Sequence, residues 1–214
     1  MIATLRSPWV KQSRAHFNPA VTITFYRLGK AGLWDAVFYC AAQLLGAVAG
    51  VALASLVLQG APAHKAVRFA ATIGIYGDTI ALVAELTISF ILMYAVLFTS
   101  DHEVLAPYTH HVAAILAAIY IAFESPLSGI STNPARTFGP ALFASYWQTL
   151  WIYFMGPPLG MPAAAEVFYW PVQARVRIAR NCITTTTNAA SSGTQDRTRQ
   201  RRQDDCGLTR PTTG

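Results

Sequence analysis

Along the chain, long unbroken apolar stretches alternate with short polar breaks, and neither the strict alternation of a half-buried strand nor the one-sided stripe of a surface helix dominates. Four stretches are apolar on every face and long enough, at about 20 helical residues per crossing, to span a hydrocarbon layer: residues 33–58, 79–100, 109–123 and 147–170. The third is short by itself and is expected to begin nearer Leu105. Residues 59–78, with glycine, proline and charges, read as a loop, and residues 101–107 as a tight polar turn. From Asn181 the pattern stops. Runs such as Thr184-Thr185-Thr186-Thr187 and Arg199-Gln200-Arg201-Arg202 cannot build a core, and a disordered tail is expected.

Two segments, residues 16–26 and 131–145, are each about half a span long, and each holds the same tripeptide: Asn18-Pro19-Ala20 and Asn133-Pro134-Ala135. The repetition continues downstream. Each tripeptide is followed by a short apolar stretch, a tryptophan (Trp34, Trp147) and a long span, and each span carries glycines four apart: Gly46 and Gly50, then Gly156 and Gly160. That spacing puts two glycines on one helix face, where a second helix can approach closely. Matched copies in matched order make an internal repeat.

The tripeptide has its own chemistry. Asparagine is a favoured N-cap, and proline at the first helical position has no N–H to lose, so each copy predicts a helix start. A half-helix of about eight residues reaches roughly 12 Å, which ends near the middle of a bilayer. A helix beginning there exposes unpaired N–H groups and a partial positive charge, which is tolerated only against protein or a water-filled cavity. Two such starts at the midplane would let Asn18 and Asn133 cap through oxygen and offer NH₂ groups to a passing neutral molecule, while the paired dipoles repel cations.

Composition agrees with a membrane-embedded body. Hydrophobic residues make up 53% and charged residues 12%, about half the charge of an ordinary soluble domain. Between Lys30 and Arg175 the basic residues are Lys65, Arg68 and Arg136 alone. The net charge of +6 comes from flanks such as Arg6, Lys11, Arg14, Arg27 and Lys30, and from the tail. Flanking clusters fit lipid headgroups and the positive-inside rule, and argue against a nucleic-acid face. Counted this way, both ends lie in the cytoplasm. Cys40, Cys182 and Cys206 form no metal or redox spacing, His110-His111 reads as interfacial, and no metal or cofactor is expected. No cleaved signal peptide is evident in the first fifteen residues. A nucleophile–base pair is also missing from the pattern, which argues against an enzyme.

Charges inside apolar sequence are costly and therefore informative. Arg136 directly follows the second tripeptide and predicts an aqueous path. Glu85 lies within a span, where it either satisfies loop N–H groups or Arg136, or sits protonated in the bundle. Glu124, at a helix end before Ser125-Pro126, is expected at an interface.

At this point the residues resemble the aquaporin (major intrinsic protein) family. The carriers are His16-Phe17-Asn18-Pro19-Ala20-Val21-Thr22, then Ser128-Gly129-Ile130-Ser131-Thr132-Asn133-Pro134-Ala135-Arg136-Thr137-Phe138-Gly139-Pro140-Ala141-Leu142, and Trp151-Ile152-Tyr153-Phe154-Met155-Gly156-Pro157. The resemblance implies an all-α membrane bundle with inverted repeats and two re-entrant half-helices, usually a homotetramer with one pore per subunit. It implies midplane donors at Asn18 and Asn133, a selectivity-filter arginine at Arg136, and a buried acid at Glu85 that holds the second re-entrant loop. Ile121 falls where water-selective members carry His and glycerol channels Gly; Ile130 falls at the filter position contributed by the loop. Thr137, Ala141 and Tyr153-Phe154 follow the water-channel pattern. The family has six spans with the first tripeptide after the second, whereas only seventeen residues precede Asn18 here. The first two helices are thus expected to be missing.

The resulting expectation is four spans plus two half-helices, arranged as an N-terminal segment (1–14), a channel domain (15–172) and a basic, Thr- and Arg-rich tail (173–214). The expected activity is passive water transport across the cell (plasma or inner) membrane. The rivals are a channel for glycerol or another small neutral solute, and a non-conducting remnant.

Overall fold

The computed structural model describes residues 16–191, with side chains through residue 171. Among these residues every regular element is a helix. In chain order they are α1 (Pro19–Arg27), α2 (Leu33–Val57), α3 (Asp78–Asp101), α4 (Thr109–Phe123), the single turn α5 (Ser125–Ser128), α6 (Pro134–Ala144) and α7 (Leu150–Ser191). Short 3₁₀ turns at Ala61–Ala63, Arg68–Ala70 and Ala106–Tyr108 punctuate the connections. The chain groups into two units, Met1–Phe168 and Tyr169–Gly214, and the features below belong to the first.

Among the described residues three helices are long and apolar enough to cross a membrane: Leu33–Val57, Asp78–Asp101 and Ala106–Phe123. The third starts where the preceding 3₁₀ turn adds the length that α4 lacks. The fourth expected span falls within α7 but is not among those three. Gly156, Pro157, Pro158, Gly160, Pro162 and Glu166 interrupt its apolar run, so a count of four rests on the repeat and not on hydropathy. Helix α7 also continues to Ser191, past Asn181 where the composition predicts disorder. A helix satisfies its own backbone hydrogen bonds, so a polar composition does not by itself prevent one. Residues 1–15 and 192–214 lie outside the described residues, and with them all of the expected N-terminal segment and the end of the tail.

The half-length segments form α1, nine residues, and α6, eleven residues, or roughly 13 and 16 Å at 1.5 Å per residue. Neither reaches across a bilayer. Helix α6 packs along α2, so closely that a Cβ on Gly139 would lie 2.8 Å from the carbonyl oxygen of Ala47. Helix α7 packs on α3 through Gly156 and Gly160, where added Cβ atoms would meet Glu85 and the Leu86 backbone. The matching pair on α2 behaves differently. Gly46 and Gly50 face open space among the described residues, so the close helix approach expected there is not made. The reason is visible in the repeat: α7 has α3 to lie against, and no described helix takes the corresponding place beside α2.

Candidate functional site: two capped helix starts and a clamped arginine

Helices α1 and α6 both begin with Asn-Pro. Asn18 is extended (φ −141°, ψ 120°) and its side-chain oxygen accepts from the Ala20 N–H at 2.9 Å. Asn133 repeats this (φ −149°, ψ 110°), accepting from Ala135 N–H at 3.0 Å and Arg136 N–H at 3.4 Å. Pro19 and Pro134 occupy the first helical positions and are buried, as are Ala20 and Ala135. The amide nitrogens point the other way, each toward the opposite loop. Asn18 Nδ2 donates to the carbonyl of Thr132 at 2.7 Å, and Asn133 Nδ2 donates to the carbonyl of Phe17 at 3.0 Å. These reciprocal bonds lock the two helix starts together. Each NH₂ group keeps one further proton.

The first loop is held from α2. Gln43 Nε2 donates to the His16 carbonyl at 2.7 Å and to Thr22 Oγ1 at 3.1 Å, and the His16 ring lies between Phe25 and Tyr39. An open cleft of about 410 Å³ runs beside it, lined by His16, Phe17, Tyr39, Gln43, Gly46, Asn133 and Arg136 among others. It brings the two asparagine loops and the arginine to one wall.

The second loop is held by Glu85, which is fully buried in α3. One carboxylate oxygen accepts from Ser128 Oγ at 2.8 Å and from the Ser131 N–H; the other accepts from the Thr132 N–H at 2.8 Å. Of the open roles for this acid, the loop is the one it fills by direct hydrogen bonds. The loop needs that support. Ile130 (φ 48°) and Thr132 (φ 52°) are β-branched residues in left-handed conformation, at a cost of order 1–3 kcal/mol each. Tyr153, also buried, adds a hydroxyl donation to the Ser128 carbonyl. Glu124, expected at an interface, is instead buried, and neither of its carboxylate oxygens has a hydrogen-bond partner.

Arg136 is exposed, one residue inside α6 from Ala135. Its Nη1 donates to the Ile130 carbonyl and to Thr72 Oγ1 at 3.3 Å. Ile130 therefore meets the arginine through its backbone, while its side chain packs with Ile88 and Tyr120. Ile121 does not join that cluster. It stands 61% exposed on α4, because neighbouring helical positions face different ways and Tyr120 takes the inward one.

Sequence reasoning missed Thr72, Gln43 and Ser131 as site residues, and noted Tyr153 only as part of the water-channel pattern. Thr72 lies in what reads as an ordinary loop; the uncharged run at residues 69–77 is the only local sign that this loop turns inward.

The chain matches the family model "Major intrinsic protein" over residues 1–169. It is similar to aquaporin TIP3-1 of Zea mays (38% identical over 167 residues; 75% of this chain, 61% of that protein) and to aquaporin NIP1-3 of Oryza sativa subsp. japonica (34% over 157 residues; 73% and 54%). The fold is similar to the X-ray structure of the aquaglyceroporin from Plasmodium falciparum, with a TM-score of 0.63 at 26% identity, covering 75% of this chain and 73% of that one. The chain spans between half and two thirds of the length of these curated relatives. Family match, relatives and fold agree: this multi-pass membrane protein belongs to the major intrinsic protein family.

Proposed function

We propose that the two asparagine caps and Arg136 form the narrow part of a channel for passive water transport. The observation that supports this best is the reciprocal pair Asn18–Thr132 and Asn133–Phe17. It fixes two NH₂ groups side by side with one unused proton each, aimed where a neutral oxygen can accept. A water crossing this point accepts from both asparagines, and the convergent N-termini, each worth roughly half a positive charge, repel hydronium and metal cations. Arg136 adds a full positive charge on the same wall. In the bilayer the half-helices enter from opposite faces, α7 supplies the fourth span, and the protein works in the cell membrane as a homotetramer.

A channel for glycerol or another small neutral solute is the second reading, supported by Ile130 and Ile121, neither of which puts a polar side chain opposite Arg136. The two readings separate in proteoliposomes. Residues 16–214, preceded by the N-terminal helices of a relative such as maize TIP3-1, should carry water and not protons. If Ile121 also leaves room for CH groups, glycerol should pass too, and Ile121→His should reduce glycerol flux while sparing water. No glycerol flux before that change leaves water as the sole cargo.

A further inference from the structure

We propose that Thr72 is a positioning residue for Arg136, at the head of a one-way chain of hydroxyls that ties the guanidinium to the backbone of Asn133; this rests on the channel reading above. The direction follows from counting protons, since each hydroxyl has one to give. Ser131 Oγ donates its proton to the Asn133 carbonyl at 2.7 Å, so it accepts in its short contact with Thr137 Oγ1. The Thr137 proton is then spent, and Thr137 accepts from Thr72 Oγ1 at 3.2 Å. Thr72 in turn has only lone pairs to offer, and Arg136 Nη1 donates into them at 3.3 Å. Every donor and acceptor in the series is satisfied in one arrangement only, and each bond polarises the next.

The loop is built to hold Thr72 still. Thr72 is 3% exposed, although it lies in no regular element and far along the chain from both asparagine-capped helices. Ile75 N–H donates to the Pro126 carbonyl at 3.3 Å. A Cβ on Gly129 would come within 2.6 Å of Ile73 N and 3.0 Å of Thr72 Cγ2, so the two loops touch backbone to backbone. Thr72 thus packs its methyl on Gly129 and turns its hydroxyl oxygen to the arginine. A serine keeps the hydroxyl and loses only the methyl; a valine keeps the shape and loses the acceptor.

The chain of residues 1–214, purified in detergent, tests this through the reaction of arginine with phenylglyoxal, followed site by site by mass spectrometry. Arg136 is exposed enough to react, and Arg27, which is paired with Glu166 at the surface, serves as an internal reference. Thr72→Val should speed modification of Arg136 roughly tenfold, the effect of losing one hydrogen bond to a charged group, and Thr72→Ser should restore the slow rate. Thr137→Val should give a smaller rise. An unchanged Arg136 rate in Thr72→Val overturns the proposal. So does a rise shared by Arg27, or one that serine fails to reverse, since either reports a loosened loop. Reactivity is read without any flux, so a failure of water transport and a failure here are separate results.

Discussion

Gly156 of α7 lies directly on Glu85 of α3: a Cβ added to the glycine would come within 2.9 Å of the Glu85 Cβ. The acid that holds the second loop is therefore pressed into place from behind by the absence of a side chain. Gly156→Leu should push Glu85 off Ser131 and Thr132 and destabilise the protein by about 1–3 kcal/mol or more, the range for over-packing a close contact. Gly46→Leu, at the matching position of the other repeat, meets open space and should change stability by no more than about 0.5 kcal/mol. Thermal unfolding of both variants of residues 1–214 in detergent checks the contrast. Equal effects would mean that the two glycine pairs share one environment.

Much of this was legible in the sequence. The Asn-Pro-Ala repeats announce both half-helices, because the cap and the proline are local chemistry, and Glu85 stands out as a charge in an apolar span. The hydroxyls were not legible. Thr72 and Ser131 are ordinary residues, and Thr137, noted for the water-channel pattern, gains its bonding role only by being folded against Thr72 from 65 positions away. The glycine pairs mislead in the opposite sense. Their spacing promises two close approaches, but spacing says only that a face is smooth, and whether a helix lies on it depends on what else is present.

Glu124 gives a pH test. Burial pushes its carboxyl up to about 7, and the nearby Glu85 adds to the rise. A carboxyl whose folded value lies above its unfolded one contributes stability that is full below the unfolded value and lost as pH climbs through the folded one. The turn at Ser125–Ser128 should therefore be most stable near pH 4 and weaken as pH rises to about 7, by at most about 3 kcal/mol. Hydrogen exchange of this segment against pH checks it. Glu124→Gln should flatten the profile.

Topology follows from the flanks. Basic residues before Leu33 and after Trp170 outweigh Lys65 and Arg68 in the first long loop, so that loop is expected outside the cell. Lys65 is exposed, so Lys65→Cys should react with a membrane-impermeant maleimide added to intact cells. Protection there, with labelling only after lysis, would invert the orientation.

Residues 1–214 by themselves are expected to leave vesicles as tight as lipid alone. The first loop is held by Gln43, and the Gly46–Gly50 face beside it is uncovered among the described residues. Backbone N–H groups near Asn18 would then face hydrocarbon, at several kcal/mol for each one unpaired. Vesicle shrinkage by stopped flow reads this directly. Fast shrinkage would show that the helices present close a pore unaided.

The central claim is that the paired asparagines carry water and stop protons, and it is tested most directly by osmotic shrinkage of vesicles. Residues 16–214, placed behind the N-terminal helices of maize TIP3-1 and reconstituted in vesicles, should shrink well above the protein-free rate with no uptake of protons. Replacing Asn18 and Asn133 together by leucine should return the rate to that of lipid. Shrinkage no faster than lipid before the change, or a rate that survives the loss of both asparagines, would contradict the account.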